Sequence, residues 1–200
     1  MIAALFVDAR GCYAEVADVD LWSIERDARL YAGPWPVVAH PPCQHWGKFA
    51  AVNYARWGGE HNRPGNDGGC FEAALAAVRL FGGVLEHPAT SLAWSAHDLP
   101  APTVSGWQRS LFAPREWVCE VWQSAYGHRA NKATWLFAVS ATPPPPLDWR
   151  RVQGTHQIGW RDQRGPGRNK PTLGDREASA TPFAFRDALL AIARSAAGVP

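Results

Sequence analysis

Lysine, methionine and paired cysteine are all scarce in this chain of 200 residues. Lys48, Lys132 and Lys170 are its three lysines, against seventeen arginines, and Met1 is its one methionine. Such a bias has two readings. Arginine forks onto phosphates and base edges and stacks on rings, and a GC-rich genome produces the same preference without any function behind it. The four cysteines, Cys12, Cys43, Cys70 and Cys119, lie far apart with no C-x-x-C spacing. That excludes a paired-thiol motif and argues for free thiols in a reducing, cytoplasmic compartment rather than a disulfide framework. No apolar run approaches the roughly 20 residues of a membrane span. The opening MIAALFVDARG has no basic stretch before its apolar run, so it reads as a buried strand and not as a leader. Charge of one sign is lacking too. A net charge of +2 excludes a strong polyanion binder acting through the whole surface.

Tryptophan, by contrast, is abundant, with 11 residues in a chain that is 46% hydrophobic. It serves either as stacking surface or as core filler in place of Leu and Met. The length fits one domain, able to bury roughly 70% of its unfolded surface without staples. There are no internal repeats.

Local patterns predict an α/β fold. Residues 2–7 form a short apolar run that stops at Asp8, Arg10 and Gly11, a buried strand and a turn. Residues 21–31 read as strand then short helix. Residues 36–40 are a second buried strand that runs into Pro41-Pro42-Cys43. Residues 44–69 have no clean period and read as a long loop, usually a functional feature in a compact domain. Cys70–Phe81 carries Phe71, Leu75, Val78 and Phe81 on or near one helical face, closed by Gly82-Gly83. Residues 84–88 (VLEHP) follow as a third strand, so this helix is a crossover between parallel strands. Two more strands, 117–122 and 134–139, flank AYGHRANK. Four prolines at 143–146 mark a boundary, after which residues 149–176 are Gly-, Arg- and Gln-rich. Thr181 as cap and Pro182 at the first position start a last helix lined by Phe185, Leu189 and Ile192. The expected organisation is a core at 1–142, a basic loop segment at 143–180 and a C-terminal helix at 181–200 that packs back on the core.

Three segments carry chemistry. AHPPCQHWGKF (39–49) places a thiol just beyond the carboxyl end of a strand, where open α/β sheets bind ligands. Two prolines fix the backbone there, and a thiolate at Cys43 is a nucleophile. In VLEHP, Glu86 ends the neighbouring strand, and a carboxylate there must be solvated or paired. AYGHRANKATWLFAV (125–139) feeds a cationic turn, with His128, Arg129, Asn131 and Lys132, into the same sheet. Each has a plain alternative: a structural Cys after a proline turn, a solvated Glu, an ordinary polar hairpin.

Together and in this order, the three resemble the cytosine carbon-5 methyltransferase family. HPPCQ at 40–44 is similar to that family's Gly-Pro-Pro-Cys-Gln loop, with Cys43 at the nucleophile. LEHP at 85–88 is similar to its Glu-Asn-Val segment, with Glu86 at the Glu. YGHRANKATWLF at 126–137 is similar to its Phe-Gly-Val-Pro-Gln-x-Arg-x-Arg strand, with Lys132 at the first of those Arg positions. SIERDARLY at 23–31 is similar to the acidic segment that holds the cofactor ribose. The chain as a whole looks like small phage-borne proteins described as DNA methylases, which places it in the cytoplasm of a bacterial host. The family's Phe-x-Gly-x-Gly loop is reduced here to the single Gly11, an intervening strand before Cys43 is missing, and His87, Ala130 and Thr134 replace the family's Asn, Gln and second Arg.

The resemblance implies a mostly parallel, reduced Rossmann-like methyltransferase sheet with flanking helices. It implies Cys43, Glu86, Lys132 and His40 as catalytic residues, with His40 or Lys132 easing proton loss from Cys43. Asp8, Gly11, Glu25 and Asp27 are the candidate S-adenosylmethionine residues. DNA or a pyrimidine nucleotide is the expected partner, with no membrane. Gln44, His45, Lys48, Arg129, Arg161, Arg164 and Arg168 are the candidate nucleic-acid contacts, the last three within a basic stretch at 150–176 of net +5 that is either a phosphate track or a solvated loop. The implied reaction transfers a methyl or related group to carbon 5 of the base through a thiolate adduct at carbon 6. A nucleotide-modifying enzyme with another donor, and a non-catalytic DNA-binding or decoy protein, are the alternatives. His40, Cys43, His45, His61, Cys70 and His87 could in principle meet around zinc, but their spacing fits no familiar finger, and no metal is expected.

Overall fold

The computed structural model describes residues 1–47, 50–103, 105–159 and 170–196. Seven strands form one sheet: β1 (Ile2–Leu5), β2 (Val19–Trp22), β3 (Val37–Ala39), β4 (Gly83–Pro88), β5 (Gln108–Arg109), β6 (Glu116–Trp122) and β7 (Ala133–Val139). Their order across the sheet is β2-β1-β3-β4-β7-β6-β5. The helices are α1 (Ala50–Trp57), α2 (Cys70–Phe81), α3 (Leu92–Ala96), α4 (Asp175–Ser179) and α5 (Phe183–Ser195).

The expected α/β class holds, and the sheet is mixed rather than mostly parallel. β2, β1, β3 and β4 pair in parallel, whereas β4 with β7, β7 with β6 and β6 with β5 pair antiparallel. The reason is the length of the last connection. Parallel neighbours need a crossover of a dozen or more residues. Only residues 123–132 join β6 to β7, so they close as a hairpin, and β7 slots between β4 and β6.

α2 is the crossover between β3 and β4, which are parallel with Ala39 opposite Leu85. Its buried face, Phe71, Ala74, Leu75 and Val78, covers one side of the sheet with Tyr31, Trp46 and Trp94. Phe185, Leu189, Leu190 and Ile192 of α5 cover the other side, over Ile2, Val38, Val84 and Leu136. Core filling is thus one use of the abundant tryptophan. At Gly83 (φ 115°) an added Cβ would stand 2.0 Å from the Val37 carbonyl oxygen, so β3 and β4 approach as they do only because glycine is there.

Two further expectations need correction. Residues 44–69 are not all loop, since α1 and a 3₁₀ turn at Glu60–Asn62 lie within them. The helix-forming stretch AAVNYARW is short, and its Gly-, Asn- and Arg-rich flanks hide its period. α5 starts one residue later than expected, with Pro182 at the cap position and no side-chain cap bond. The boundary segment after 142 lies against the body in its described part. Trp107 donates to the Pro145 carbonyl, Ser124 to that of Val152, and Gly154 to the Asn131 side chain.

Candidate functional site

The parallel register puts His40, the residue after β3, directly beyond Ala39 and across from Glu86, the residue after Leu85. Side chains alternate along a strand, so both emerge on the α5 face. Glu86 is 8% exposed and is held on both oxygens. His40 Nδ1 lies 2.9 Å from Oε2, and Gln123 donates to Oε1 at 3.1 Å. A carboxylate only accepts, so Nδ1 carries the imidazole proton. Nε2 then accepts from the Tyr13 hydroxyl at 2.8 Å. Gln123, fully buried at the end of β6, spends its other N–H on Thr134 of β7, and its carbonyl oxygen is buried without a partner.

Electrostatics follow from this packing. Burial pushes the Glu86 carboxyl up, yet the His40 hydrogen bond and charge, with help from Lys132 and His87, bring it below the usual carboxylate range. Burial pushes Tyr13 well up, and Cys12 and Glu86 add to the rise. Lys132 is lowered by burial, against the pull of Glu86, Cys43 and Cys12. Five ionisable side chains from four connections therefore feel one another at this edge: Cys12 and Tyr13 after β1, Cys43 after β3, Glu86 on β4 and Lys132 before β7.

Cys43 is solvent-exposed as a residue, but its thiol is pushed up by burial first and by Glu86 second, with Lys132 opposing. The expectation of an eased thiolate is thus met in sign by Lys132 and overturned in net. His40 bonds Glu86 and Tyr13, and contributes nothing to the Cys43 shift. Lys132, at a left-handed φ of 39°, anchors its ammonium on the Ser179 and Ala180 carbonyls at the end of α4. His87 points to the other face, against Phe71 and Trp94, where burial drives it down to about 4.

The other expected residues are dispersed. Asp8 closes its own turn, accepting from the Arg10 amide on its side chain and from the Gly11 amide on its backbone. Glu25 lies near enough to sense Asp8, and binds the Ser23 hydroxyl. Asp27 is consumed by a two-pronged pairing with Arg29. The turn amides and Asp27 thus have partners within the chain. Gln44 and His45 line a cavity beside Cys43. Arg129 is paired with Glu177 and touches His156. In the basic stretch, Arg150 pairs with Asp148, Arg151 with Glu120, and Lys170 donates to the Gly154 carbonyl. Lys48, Arg161, Arg164 and Arg168 lie outside the described residues. Among the described residues no group of three His, Cys, Asp or Glu is set to hold a metal, and no helix is long and apolar enough to cross a membrane.

Tyr13 and Gln123 escaped the sequence reading. Tyr13 had one available signal, its place just past the turn that follows the first strand. Gln123 had none, since only the β6–β7 hairpin brings it under Glu86. Comparison of the chain with models of protein families, with characterised proteins and with solved structures returns no match.

Proposed function

We propose that the chain modifies carbon 5 of a pyrimidine in DNA, cytosine first, through a Cys43 adduct at carbon 6. The observation that carries this reading is the gathering of Cys43, Lys132 and the Glu86–His40–Tyr13 chain at the ends of β3 and β4. Carbon 5 of cytosine is a poor nucleophile. When the Cys43 sulfur bonds to carbon 6, the 5,6 double-bond electrons shift to carbon 5 and the ring becomes an enamine. The negative charge developing at nitrogen 3 is met by a proton that Glu86 takes from His40 Nδ1 and passes on, the Tyr13 hydroxyl replacing it through Nε2, and the proton returns along the same chain when the sulfur departs. After carbon 5 takes the new group it releases its proton to solvent water, the electrons of that C–H bond re-form the 5,6 double bond, and the sulfur departs as thiolate. Lys132 favours the thiolate against the burial that opposes it. A base stacked in a duplex is out of reach, so the substrate is flipped out or single-stranded.

S-adenosylmethionine would supply a methyl electrophile when bound. The self-satisfied turn at residues 8–11 favours a second reading, in which the donor is a different one-carbon or larger electrophile, or the acceptor a free pyrimidine nucleotide. Trapping separates these. DNA carrying 5-fluorocytosine cannot lose its carbon-5 substituent as a proton, so with the true donor supplied Cys43 remains bonded to carbon 6. A mass increase mapped to the Cys43 peptide with S-adenosylmethionine present supports the first reading. An adduct seen only with another donor supports the second. An adduct absent with every donor, or equally abundant in Cys43→Ser, overturns both.

A further inference from the structure

Immediately beyond Cys43 the surface sinks into a cavity of about 460 Å³ lined by Gln44, His45, Ala50, Asn53, His61 and Asn62. Neither Cys43, Glu86 nor His40 lines it, so it is a separate space from the one described above, joined to it by the peptide bond between residues 43 and 44. Among the described residues, its walls carry three carboxamides and two imidazoles. Asn53 presents donor and acceptor side by side in one plane, the pattern that matches the edge of a nucleobase, while Asn62 donates to the Gly58 carbonyl and the Gln44 amide nitrogen lies 3.4 Å from His45 Nε2, so these two offer chiefly their side-chain carbonyl oxygens.

The helix that forms one wall adds a second observation. Ala50, Asn53, Tyr54 and Trp57 of α1 recur at i, i+3, i+4 and i+7, so they share one face. Ala50 and Asn53 line the cavity while Trp57 is 69% exposed. Arg56 lies over the Trp57 ring at 4.9 Å. Val52 and Tyr54 are also exposed, so α1 contributes little beyond Ala50 to the core. Base-edge groups in a cavity, with an exposed indole and a guanidinium on the same short helix, suit an unpaired base and its phosphate.

We infer that this cavity receives the base next to the target base in the same strand, read by Asn53 with the side-chain carbonyls of Gln44 and Asn62, and that the exposed Trp57 and Arg56 on the same helix contact the strand beside it. The inference rests on the Cys43 reading for the word "target". The substrate class it implies is a single-stranded or locally opened strand of at least two nucleotides, and not an isolated nucleotide.

The test measures equilibrium binding of single-stranded pentanucleotides with a central cytosine, each with an abasic site at one of the four other positions. One position adjacent to the cytosine should weaken binding about tenfold or more when its base is removed, and the other three should matter less. Asn53→Ala and Trp57→Ala, both at exposed positions, should abolish that difference. Cys43→Ser should preserve it. Equal binding of all abasic strands, or an undiminished penalty in both variants, overturns the inference. So does cytidine monophosphate binding as tightly as the intact pentanucleotide. Trapping at Cys43 is read separately on 5-fluorocytosine DNA, so a failure of the neighbouring-base site and a failure of the Cys43 chemistry give different results.

Discussion

At the scale of single residues, the proposed nucleophile is set against its surroundings. Burial and Glu86 push the Cys43 thiol up while Lys132 pulls it down. The alkylation rate of Cys43, followed by peptide mass spectrometry, should therefore reach half its plateau above the ordinary thiol range near 8.5. Glu86→Gln removes a negative neighbour and should lower that midpoint, whereas Lys132→Met removes a positive one and should raise it. Shifts in the opposite directions would show that these groups do not share a field. His87 makes a different prediction. Its pKa, about 4 in the fold against 6.5 when free, means that the unfolded chain takes up this proton first as pH falls. Stability should be lost between pH 6.5 and about 4 and level off below, by about 3 kcal/mol for this group. His87→Leu should flatten the urea-unfolding free energy over that window. Glu86, held low by His40, contributes stability that is lost only at lower pH, as the medium falls through its folded value, so the two are separable.

At the scale of elements, the Cys43 loop is tied to the crossover helix by one carboxylate. Asp67 accepts from the Phe71 and Gly69 amides at the start of α2 and from the Trp46 indole three residues past Cys43. Asp67→Ala should cost about 1–2 kcal/mol, a fall in melting temperature of roughly 2–8 °C, and should slow adduct formation by loosening the loop. An unchanged melting temperature would place no weight on this tie. The elements legible in the sequence are those with strong local signals: α2, with its apolar face and glycine stop, the apolar runs of β1, β3 and β4, and the hairpin strands on either side of AYGHRANK. α1 was hidden because its helix formers occupy only two turns between glycine-rich flanks and bury just Ala50. The antiparallel half of the sheet was hidden because pairing partners are set by connection length and packing, which no local pattern records. The same holds for the site. Cys43 and Glu86 stand out as reactive groups at strand ends, whereas the engagement of His40 with Glu86 and Tyr13, and the support of Gln123, arise from register and from a hairpin more than thirty residues away along the chain.

For the whole molecule, two halves of one sheet meet at β4. The parallel half delivers the thiol and the imidazole, the antiparallel half delivers Gln123, Thr134 and Lys132, and α5 seals the face beneath them. Among the described basic residues, Arg129, Arg150, Arg151 and Lys170 have partners within the chain. The central claim, that this edge adds a thiolate to a pyrimidine ring, is tested most directly without any donor. Addition of Cys43 at carbon 6 opens carbon 5 to a solvent proton, and reversal then removes either hydrogen. Single-stranded DNA with tritium at carbon 5 of cytosine should release it to water in the presence of the protein, more slowly with Glu86→Gln and not at all with Cys43→Ser. Retention of the label with the unaltered protein, or release that persists undiminished in Cys43→Ser, would contradict the account.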